Sequence, residues 1–373
     1  MAGSVVVGLA LGDRIRRKAR FAKPGSSRIT MPLPEHNVTG IDYSDRAHFA
    51  YHGQIIDIHA HVLRTRPDDP PHGPAKGVGP GASMEQAEIM LAEAERFGIV
   101  QTVTMCFPDD VEPLRARFGD RLLFNTMVNK QKLDEPDDEV FRRLERCLEL
   151  GTSIIKFWSA PRGRDRGLFV DAPWRIEAAK RARAAGVRII MVHVGDPDVW
   201  FRTTYADAAK YGTKPEQYIG LERMLELFPD MLWIGAHMGG DSEHPDHLAA
   251  LLEKYPHFHL DTSATKWQVR EVSQRTHGIR ELICRFPDRF LFGTDLVTRH
   301  GFVAEHYVSR YWCQRTLWES TWEGPSPIAD PDWTPPAEGP ALPVLRGVGL
   351  PADMLGQVYY GNARRMLGSS TST

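Results

Sequence analysis

Eight short apolar runs alternate with segments of helical periodicity, and this alternation restricts the fold more than any other feature of the chain. Apolar residues at helical spacing separate most of the runs, as in the segment 221–228. The runs are almost continuously apolar, which is typical of parallel strands covered on both faces. Eight such units predict a closed (β/α)8 TIM barrel, with an open doubly wound sheet as the alternative. The predicted strands are residues 55–62, 100–106, 122–128, 153–157, 188–192, 232–236, 258–261 and 290–292.

Three segments depart from this alternation. Residues 1–50 have no sustained period and form a predicted N-terminal extension, so the barrel domain is expected over 51–373. Within that domain, residues 67–81 are rich in Pro and Gly and predict a loop. Residues 297–348 interleave tryptophans with prolines and follow the last strand, which predicts a lid or an interface insertion on the active face of the barrel. Residues 350–367 predict a closing helix.

Composition excludes some classes of partner. The formal net charge of −2 gives no general attraction to nucleic acid or to an anionic membrane. The four cysteines form no CxxC pair, so reduced thiols and a cytoplasmic location are expected. The apolar stretch 5–11 precedes its basic cluster, which is the reverse of a secretory signal. We therefore expect a small-molecule substrate as the main partner, and the Trp-rich insertion also suggests a homodimer.

Polar side chains recur where the predicted strands end. The first strand carries His59 and His61, which share one face if side chains alternate. Barrel enzymes place their chemistry at the carboxyl ends of strands, so side chains at these ends converge on one mouth. Imidazoles with a carboxylate suit a divalent metal such as Zn²⁺, Mn²⁺ or Fe²⁺. The residues at the other strand ends are Lys156, His193, His237, Asp261 and Asp295.

This set resembles the amidohydrolase superfamily of metal-dependent TIM-barrel hydrolases. The resemblance rests on the motif Asp57-Ile58-His59-Ala60-His61 together with His193, His237 and Asp295. It is closest to the amidohydrolase-related branch, which includes decarboxylases and lactone hydrolases. It implies that His59, His61 and Asp295 hold a metal and that His193 is a ligand of that metal or of a second one. It also implies that His237 is a ligand or orients the substrate, and that Asp295 acts as the catalytic proton acceptor.

The resemblance leaves the number of metals open between one and two, with zinc expected first and iron or manganese as alternatives. Some binuclear relatives bridge their metals with a carboxylated lysine on the fourth strand, where Lys156 lies; pairing with a substrate anion is the simpler role. Glu243 and His244 are candidates for completing a second metal site. Asp57 is expected to orient a ligand histidine.

Charged and aromatic residues after the strands suggest where the substrate binds. Arg162 and Arg164 follow the fourth strand and could hold a carboxylate or phosphate, although a surface charge run has equal weight. Trp158 and Trp267 lie near other strand ends and suggest a bulky apolar pocket, unless they are packing residues.

These residues favour a metal-dependent hydrolase of an amide, ester, thioester or lactone, with decarboxylation as a variant that uses the same metal. A different class of enzyme also fits: a non-haem iron or di-iron monooxygenase that hydroxylates a bulky apolar acyl substrate, such as one linked to coenzyme A. A non-catalytic barrel is the third hypothesis. It is disfavoured because the ligand set is complete.

Overall fold

The computed structural model describes residues 35–66, 79 and 81–368, and a parallel sheet is at its centre. From β1 to β8, each strand is hydrogen-bonded to the next one along the chain in parallel orientation. The strands are β1 (Ile55–Val62), β2 (Ile99–Met105), β3 (Leu122–Met127), β4 (Ile154–Trp158), β5 (Ile189–His193), β6 (Leu232–Gly235), β7 (Phe258–Asp261), β8 (Phe290–Leu291) and β9 (Leu296–Thr298).

The last two strands close the sheet into a barrel. β8 pairs with β7, whereas β9 pairs with β1. Four residues of the chain separate β8 from β9. Two hydrogen bonds span the interruption: Ile58 N donates to Phe292 O at 2.9 Å, and Asp295 N donates to His59 O at 2.8 Å. β8 and β9 are therefore the two halves of one broken strand. Because both edges of the sheet are joined, the predicted (β/α)8 barrel is confirmed over the open sheet.

Helices connect the strands and form the outer layer. The helices predicted from apolar spacing are present, but the predicted helix 272–286 starts too early. One helix ends at Val272 and the next begins at Thr276, because Arg275 between them leaves helical dihedral angles, with φ −138° and ψ 30°. The helices are α1 (Met84–Arg96), α2 (Pro108–Phe118), α3 (Asp137–Glu149), α4 (Pro173–Ala184), α5 (Asp198–Arg202), α6 (Ala208–Tyr211), α7 (Lys214–Leu227), α8 (Pro245–Lys254), α9 (Thr265–Val272) and α10 (Thr276–Arg285).

The interior of the barrel is packed with aliphatic side chains below the mouth, including Ile56, Ile58 and Ile154. The closing helix is confirmed as α12 (Ala352–Gly356), a π turn (Gln357–Gly361) and α13 (Asn362–Gly368). Met366 and Leu367 join the same apolar cluster. The tail therefore contributes to the barrel core and leaves the opposite end for polar residues.

The segment 297–348 divides into two parts with different positions. Its first part contains α11 (Ala304–Glu319), which is almost entirely buried, with Trp312 and Trp318 in the core. A short hairpin of β10 (Glu323–Pro325) and β11 (Val344–Arg346) follows. The residues between these two strands reach a cleft beside Asp295 at 329–331. The predicted lid or interface role can therefore apply only to this second part, and it stays a prediction.

The extension and the loop are described in part. Residues 35–50 pack on the segment just described: Val38 N donates to Pro327 O and Ala329 N donates to Glu35 O, each at 2.8 Å. Residues 1–34 of the extension, and residues 67–78 and 80 of the predicted loop, lie outside the described residues. Within the described part of the chain, no helix combines the length and apolar character that a membrane span needs.

Candidate metal centre at the barrel mouth

His59, His61 and Asp295 converge at the mouth of the barrel. Asp295 Oδ1 lies 3.2 Å from His59 Nε2 and 3.0 Å from His61 Nε2. The rings of the two histidines are 5.5 Å apart, so both histidines are on the same side of β1 as predicted. The pairing of β1 with β2 shifts in register between Asp57 and Ala60, which breaks strict alternation at this point. The Nε2 atoms of both histidines therefore lie close to one carboxylate oxygen of Asp295.

Asp261 and Ser263, at the carboxyl end of β7, contact the Nδ1 atoms of His59 and His237. Asp261 Oδ2 is 2.8 Å from His59 Nδ1, and Asp261 Oδ1 accepts a hydrogen bond from His237 N at 2.8 Å. Ser263 Oγ donates to Asp261 Oδ1. Burial would raise the pKa of Asp261, but His59 holds it below the usual range. A buried carboxylate therefore fixes Nδ1 of His59 as the protonated nitrogen and leaves Nε2 as a lone-pair donor.

His237 lies directly beside His59, with ring centroids 5.0 Å apart. Its Nδ1 is 2.7 Å from Ser263 Oγ. Because that hydroxyl donates its hydrogen bond to Asp261, it accepts one from His237 Nδ1. Nε2 of His237 therefore keeps its lone pair. His59, His237 and Asp295 each offer one atom within 4.8 Å of the others. His237 therefore belongs to the same group of donors.

The backbone near these residues takes unusual conformations. His237 and Asp295 have φ values of 58° and 57°, in the left-handed region that costs a non-glycine residue about 1–2 kcal/mol. The strand break at Asp295 needs Gly293, because a Cβ there would lie 3.2 Å from the Cβ atoms of His59 and Ser263. Strain is thus concentrated at two of the candidate functional residues.

His193 lies beside this group but faces another carboxylate. Its ring is 4.6 Å from that of His237, while its Nε2 is 2.9 Å from Asp196 Oδ1. Tyr205 donates its hydroxyl proton to Asp196 Oδ2 at 2.7 Å. The structure therefore places His193 at the mouth with Nε2 directed to Asp196, and its role as a metal ligand stays a prediction.

Lys156 is buried within the group. Its Nζ lies 2.6 Å from His59 Nε2, and no carboxylate of the described residues pairs with it within 4.0 Å. At that distance only one of the two nitrogens can direct a proton at the other, so His59 accepts and Lys156 donates. Burial lowers the pKa of Lys156 to about 8, although Asp295 and Asp261 oppose the shift. A poorly compensated ammonium group thus lies beside the lone pair of His59.

The charges of His61, His237 and Asp295 suit a cation, whereas the pKa of His59, against burial and Lys156, is raised by Asp261 and Asp295. Burial lowers the pKa of His61 to about 4 and holds the pKa of His237 well below its usual range. Burial would raise the pKa of Asp295, but His237 and His59 keep it well below its ordinary value. Neutral imidazoles and an ionised carboxylate are the forms that bind divalent metals. The residues present therefore fit a metal ion.

A family comparison agrees with this donor set. The family model described as amidohydrolase matches residues 56–369, which is most of the chain. The chain belongs to the amidohydrolase family. The predicted amidohydrolase resemblance is thus confirmed, and the protein is an enzyme of a superfamily that generally uses a divalent metal. No significant match is found among curated proteins.

Solved structures give similar but distant matches. An uncharacterized TIM-barrel protein from Bordetella bronchiseptica is 16% identical with a TM-score of 0.49, over 85% of this chain and 99% of that chain. 2,6-Dihydroxybenzoate decarboxylase from Rhizobium is 17% identical with a TM-score of 0.47, over 85% and 99%. 4-Oxalomesaconate hydratase from Rhodopseudomonas palustris is 16% identical with a TM-score of 0.49, over 86% and 97%.

Two of the candidate second-metal residues of this amidohydrolase lie in a separate cluster. Glu243 and His244 belong to a network around Lys214, whose Nζ is 2.7 Å from Asp198 Oδ1, 2.8 Å from Asp241 Oδ1 and 3.1 Å from Glu243 Oε2. His244 Nδ1 is 2.6 Å from Asp241 Oδ1. In the described contacts, Glu243 and His244 touch neither His59 nor Asp295. We name these residues the Lys214 cluster.

The proposed substrate residues occupy different surroundings. Trp158 and Trp267 both lie against His193, with ring centroids 6.2 Å and 6.0 Å away. Arg164 lies over the Phe169 ring at 5.1 Å and lines a side cleft with residues of α7. Arg162 is exposed. The structure therefore brings the tryptophans to the histidines, and it does not bring Arg164 to them.

Sequence reasoning missed several supporting residues. Asp196 and Ser263 were not singled out, although each follows a strand-end residue by two or three positions, in His193-Val194-Gly195-Asp196 and Asp261-Thr262-Ser263. Tyr205 has no such signal, because it reaches Asp196 through the irregular segment after β5. Asp57 was expected to orient a ligand histidine. It accepts a hydrogen bond from His59 N at 3.0 Å and from the Thr294 hydroxyl at 2.6 Å, so it joins β1 to the broken strand.

Proposed function

We propose that this amidohydrolase is a hydrolase that uses one divalent metal, zinc in the first place, held by His59, His61 and Asp295. The observation that carries the proposal is that both imidazole Nε2 atoms lie within 3.2 Å of a single Asp295 oxygen. His237 is the additional donor, because it forms a group of possible metal ligands with His59 and Asp295. His193 would complete the set after turning away from Asp196.

The chain's own residues supply the remaining chemistry. When bound, the metal would polarise the scissile carbonyl and lower the pKa of a bound water toward ~7. Asp295 is ionised and 31% exposed, so its carboxylate can accept a proton from an attacking water and deliver it to the leaving group. His237, held neutral by burial, can accept a hydrogen bond at the reacting centre. Asp261 and Ser263 keep the rings of His59 and His237 in place.

The positions of Lys156 and Glu243 bear on the number of metals. Lys156 Nζ lies 2.6 Å from His59 Nε2, beside the proposed metal ligands. Glu243 Oε2 accepts hydrogen bonds from Asp198 N and Lys214 Nζ, so this oxygen belongs to the Lys214 cluster and not to the proposed metal site. We therefore assign Lys156 to contact with the substrate once a metal has displaced it from His59.

Decarboxylation is the second candidate. The observation that favours it is the buried Lys156 ammonium beside the donors, because a positive charge there would hold a substrate carboxylate. Asp295 would then carry the proton that replaces the lost carboxyl group. The iron oxygenase alternative has only the general suitability of imidazole and carboxylate ligands behind it, and family membership favours hydrolysis.

The test combines metal analysis with the direction of proton exchange. Full-length protein purified without added metal is analysed for zinc, manganese and iron, and then assayed unbuffered near pH 8 on a panel of esters, lactones and hydroxybenzoates. Hydrolysis of an ester or lactone releases a proton, whereas decarboxylation consumes one when carbon dioxide is removed by a gas stream. About one zinc per chain, with proton release abolished in His61→Ala and kept in the exposed control His277→Ala, is expected. Proton uptake would support the decarboxylase, and iron with consumption of dioxygen would overturn both.

A further inference from the structure

A polar cleft opens beside Asp295, on the side of the mouth formed by β7, the broken strand and α11. Its volume is about 600 Å³, and Lys266, Trp267, Arg310 and Asp295 are among its lining residues. The proposed metal donors therefore form one wall of the cleft. A substrate whose reacting group meets Asp295 has room to extend into it.

The cations of this cleft are less compensated than its acids. No hydrogen bond or ion pair joins Lys266 to another of the described residues. Burial and Arg310 lower its pKa, although Glu35, Asp330 and Asp332 oppose the shift. Arg310 is buried, and its nearest carboxylate oxygen is Glu35 Oε1 at 3.9 Å. By contrast, Asp330 pairs with Arg270, and Asp295 is held by His59 and His61. Lys266 therefore lines the cleft without a direct hydrogen bond or ion pair to any carboxylate of the described residues.

The backbone beside Lys266 favours an anion as well. Lys266 lies in the first turn of α9, whose N-cap residue is Ala264. Alanine has no side-chain acceptor, so the first N–H groups of this helix have no side-chain cap. Ala264 and Thr265 line the same cleft as Lys266. The ammonium group and the uncapped helix N-terminus therefore act on one space.

An apolar cavity lies on the other side of the same donors. It has a volume of about 270 Å³ and extends from His61 between the ends of β2 and β3 and α3. Apart from His61, its lining is mainly apolar and includes Met105, Cys106, Leu144 and Cys147. Because His61 and Asp295 are hydrogen-bonded at 3.0 Å, the cavity and the cleft meet at the proposed metal site.

We propose that the substrate is an amphipathic carboxylate, with its carboxylate in the cleft at Lys266, its apolar arm in the cavity beside His61, and its scissile group between them. The proposal rests on the proposed function only for the reacting group. The two binding regions can be tested without catalysis. It also differs from the sequence-based expectation, which placed the anion at Arg162 and Arg164 and the apolar group at Trp158 and Trp267.

The test measures binding of straight-chain carboxylates by isothermal titration calorimetry, with full-length protein as purified and again after chelation of metal. Octanoate is expected to bind more tightly than butanoate, by about fourfold per added methylene at most. Lys266→Ala is expected to weaken octanoate by about tenfold, and Lys266→Arg to stay within about threefold of the unmodified protein. The exposed control Lys180→Ala should bind normally. Octan-1-ol, which lacks the charge, should bind Lys266→Ala and the unmodified protein equally.

The cavity is tested separately with Cys106→Phe, which adds bulk at a half-buried lining residue. The variant should remove the advantage of octanoate over butanoate and leave butanoate binding unchanged. If it does not fold, the chain-length series in the unmodified protein still decides. Equal binding of butanoate and octanoate, or equal octanoate binding by Lys266→Ala and Lys180→Ala, would overturn the proposal. Because the same contrasts are required after chelation, loss of metal or of hydrolytic activity does not produce either result.

Discussion

Two lysines, the buried Lys156 and the partly buried Lys214, lie among histidines and carboxylates in this barrel, and their surroundings differ in kind. Lys214 contacts oxygens of three carboxylates, and although burial lowers its pKa, Asp241 and Glu243 raise it overall. Lys156 contacts a nitrogen of His59 instead, and burial lowers its pKa to about 8. The Lys214 cluster supplies its own cation. The donors around Lys156 keep lone pairs that a metal can use.

The comparison distinguishes a structural cluster from a candidate metal site, although both are built from the same residue types. Both groups satisfy the distance criterion for a possible metal site: His59, His237 and Asp295 in one, and Asp198, Asp241 and His244 in the other. Only the second contains an ammonium bound to its carboxylates. A short connection links the two, because His237 and Asp241 are joined through Gly240. A Cβ at Gly240 would lie 2.2 Å from Gly195 C, so the loops after β5 and β6 touch there.

The largest effect is expected from Asp295→Asn. The change removes the charge that two imidazoles share, so metal content should fall to background and activity by about a hundredfold to a thousandfold or more. Elemental analysis and turnover of an ester or lactone identified in the panel would measure this. The free energy of unfolding of the chelated protein should change little. Full metal content in Asp295→Asn would remove the distinction between the two clusters.

Lys214→Met should have the opposite profile. Removal of the ammonium leaves Asp198, Asp241 and Glu243 facing one another with less compensation, which should cost about 3–5 kcal/mol in the free energy of unfolding. Urea unfolding near pH 7 would measure the cost, and metal content of the folded variant should stay normal. Loss of metal without loss of stability would mean that the Lys214 cluster is itself part of the metal site.

The barrel and the composition of its mouth follow from the sequence because strand periodicity determines which residues reach one end. That rule places His59, His61, His237 and Asp295 together, as the structure has them. It cannot assign Glu243 and His244, because their direction depends on the left-handed turn after His237. Nor can it find the break between β8 and β9, which is defined by pairing to two different neighbours. Side-chain contacts that depend on irregular backbone therefore cannot be predicted from the sequence and are seen only in the structure.

The pH dependence of the free energy of unfolding should reflect Glu271, which neighbours Glu243 of the Lys214 cluster. Burial and the neighbouring Glu243 raise the pKa of Glu271 to about 7, although Arg270 opposes them. An acid whose folded pKa is raised keeps its proton in the native state after the unfolded chain has lost it. Stability should therefore fall as the pH rises from about 4.5 to 7, by about 2–3 kcal/mol from this residue. In Glu271→Gln this part of the slope should vanish in urea titrations across that range. An unchanged slope of stability against pH would mean that a group other than Glu271 holds the titrating proton.

The smallest effect is expected from Ser263→Ala, and it distinguishes the two roles assigned to His237. The hydroxyl donates to Asp261 and lies 2.7 Å from His237 Nδ1, so its loss leaves one imidazole N–H without that acceptor. We expect a cost of about 1 kcal/mol in unfolding and a loss of about tenfold in function. If His237 binds the metal, the tenfold loss should occur in the metal dissociation constant, measured by competition with a chelator. If His237 only orients the substrate, metal affinity should be unchanged and kcat/KM alone should fall, because the imidazole is then misdirected only at the reacting group. Unchanged values of both would mean that Asp261 alone holds this side of the mouth in place.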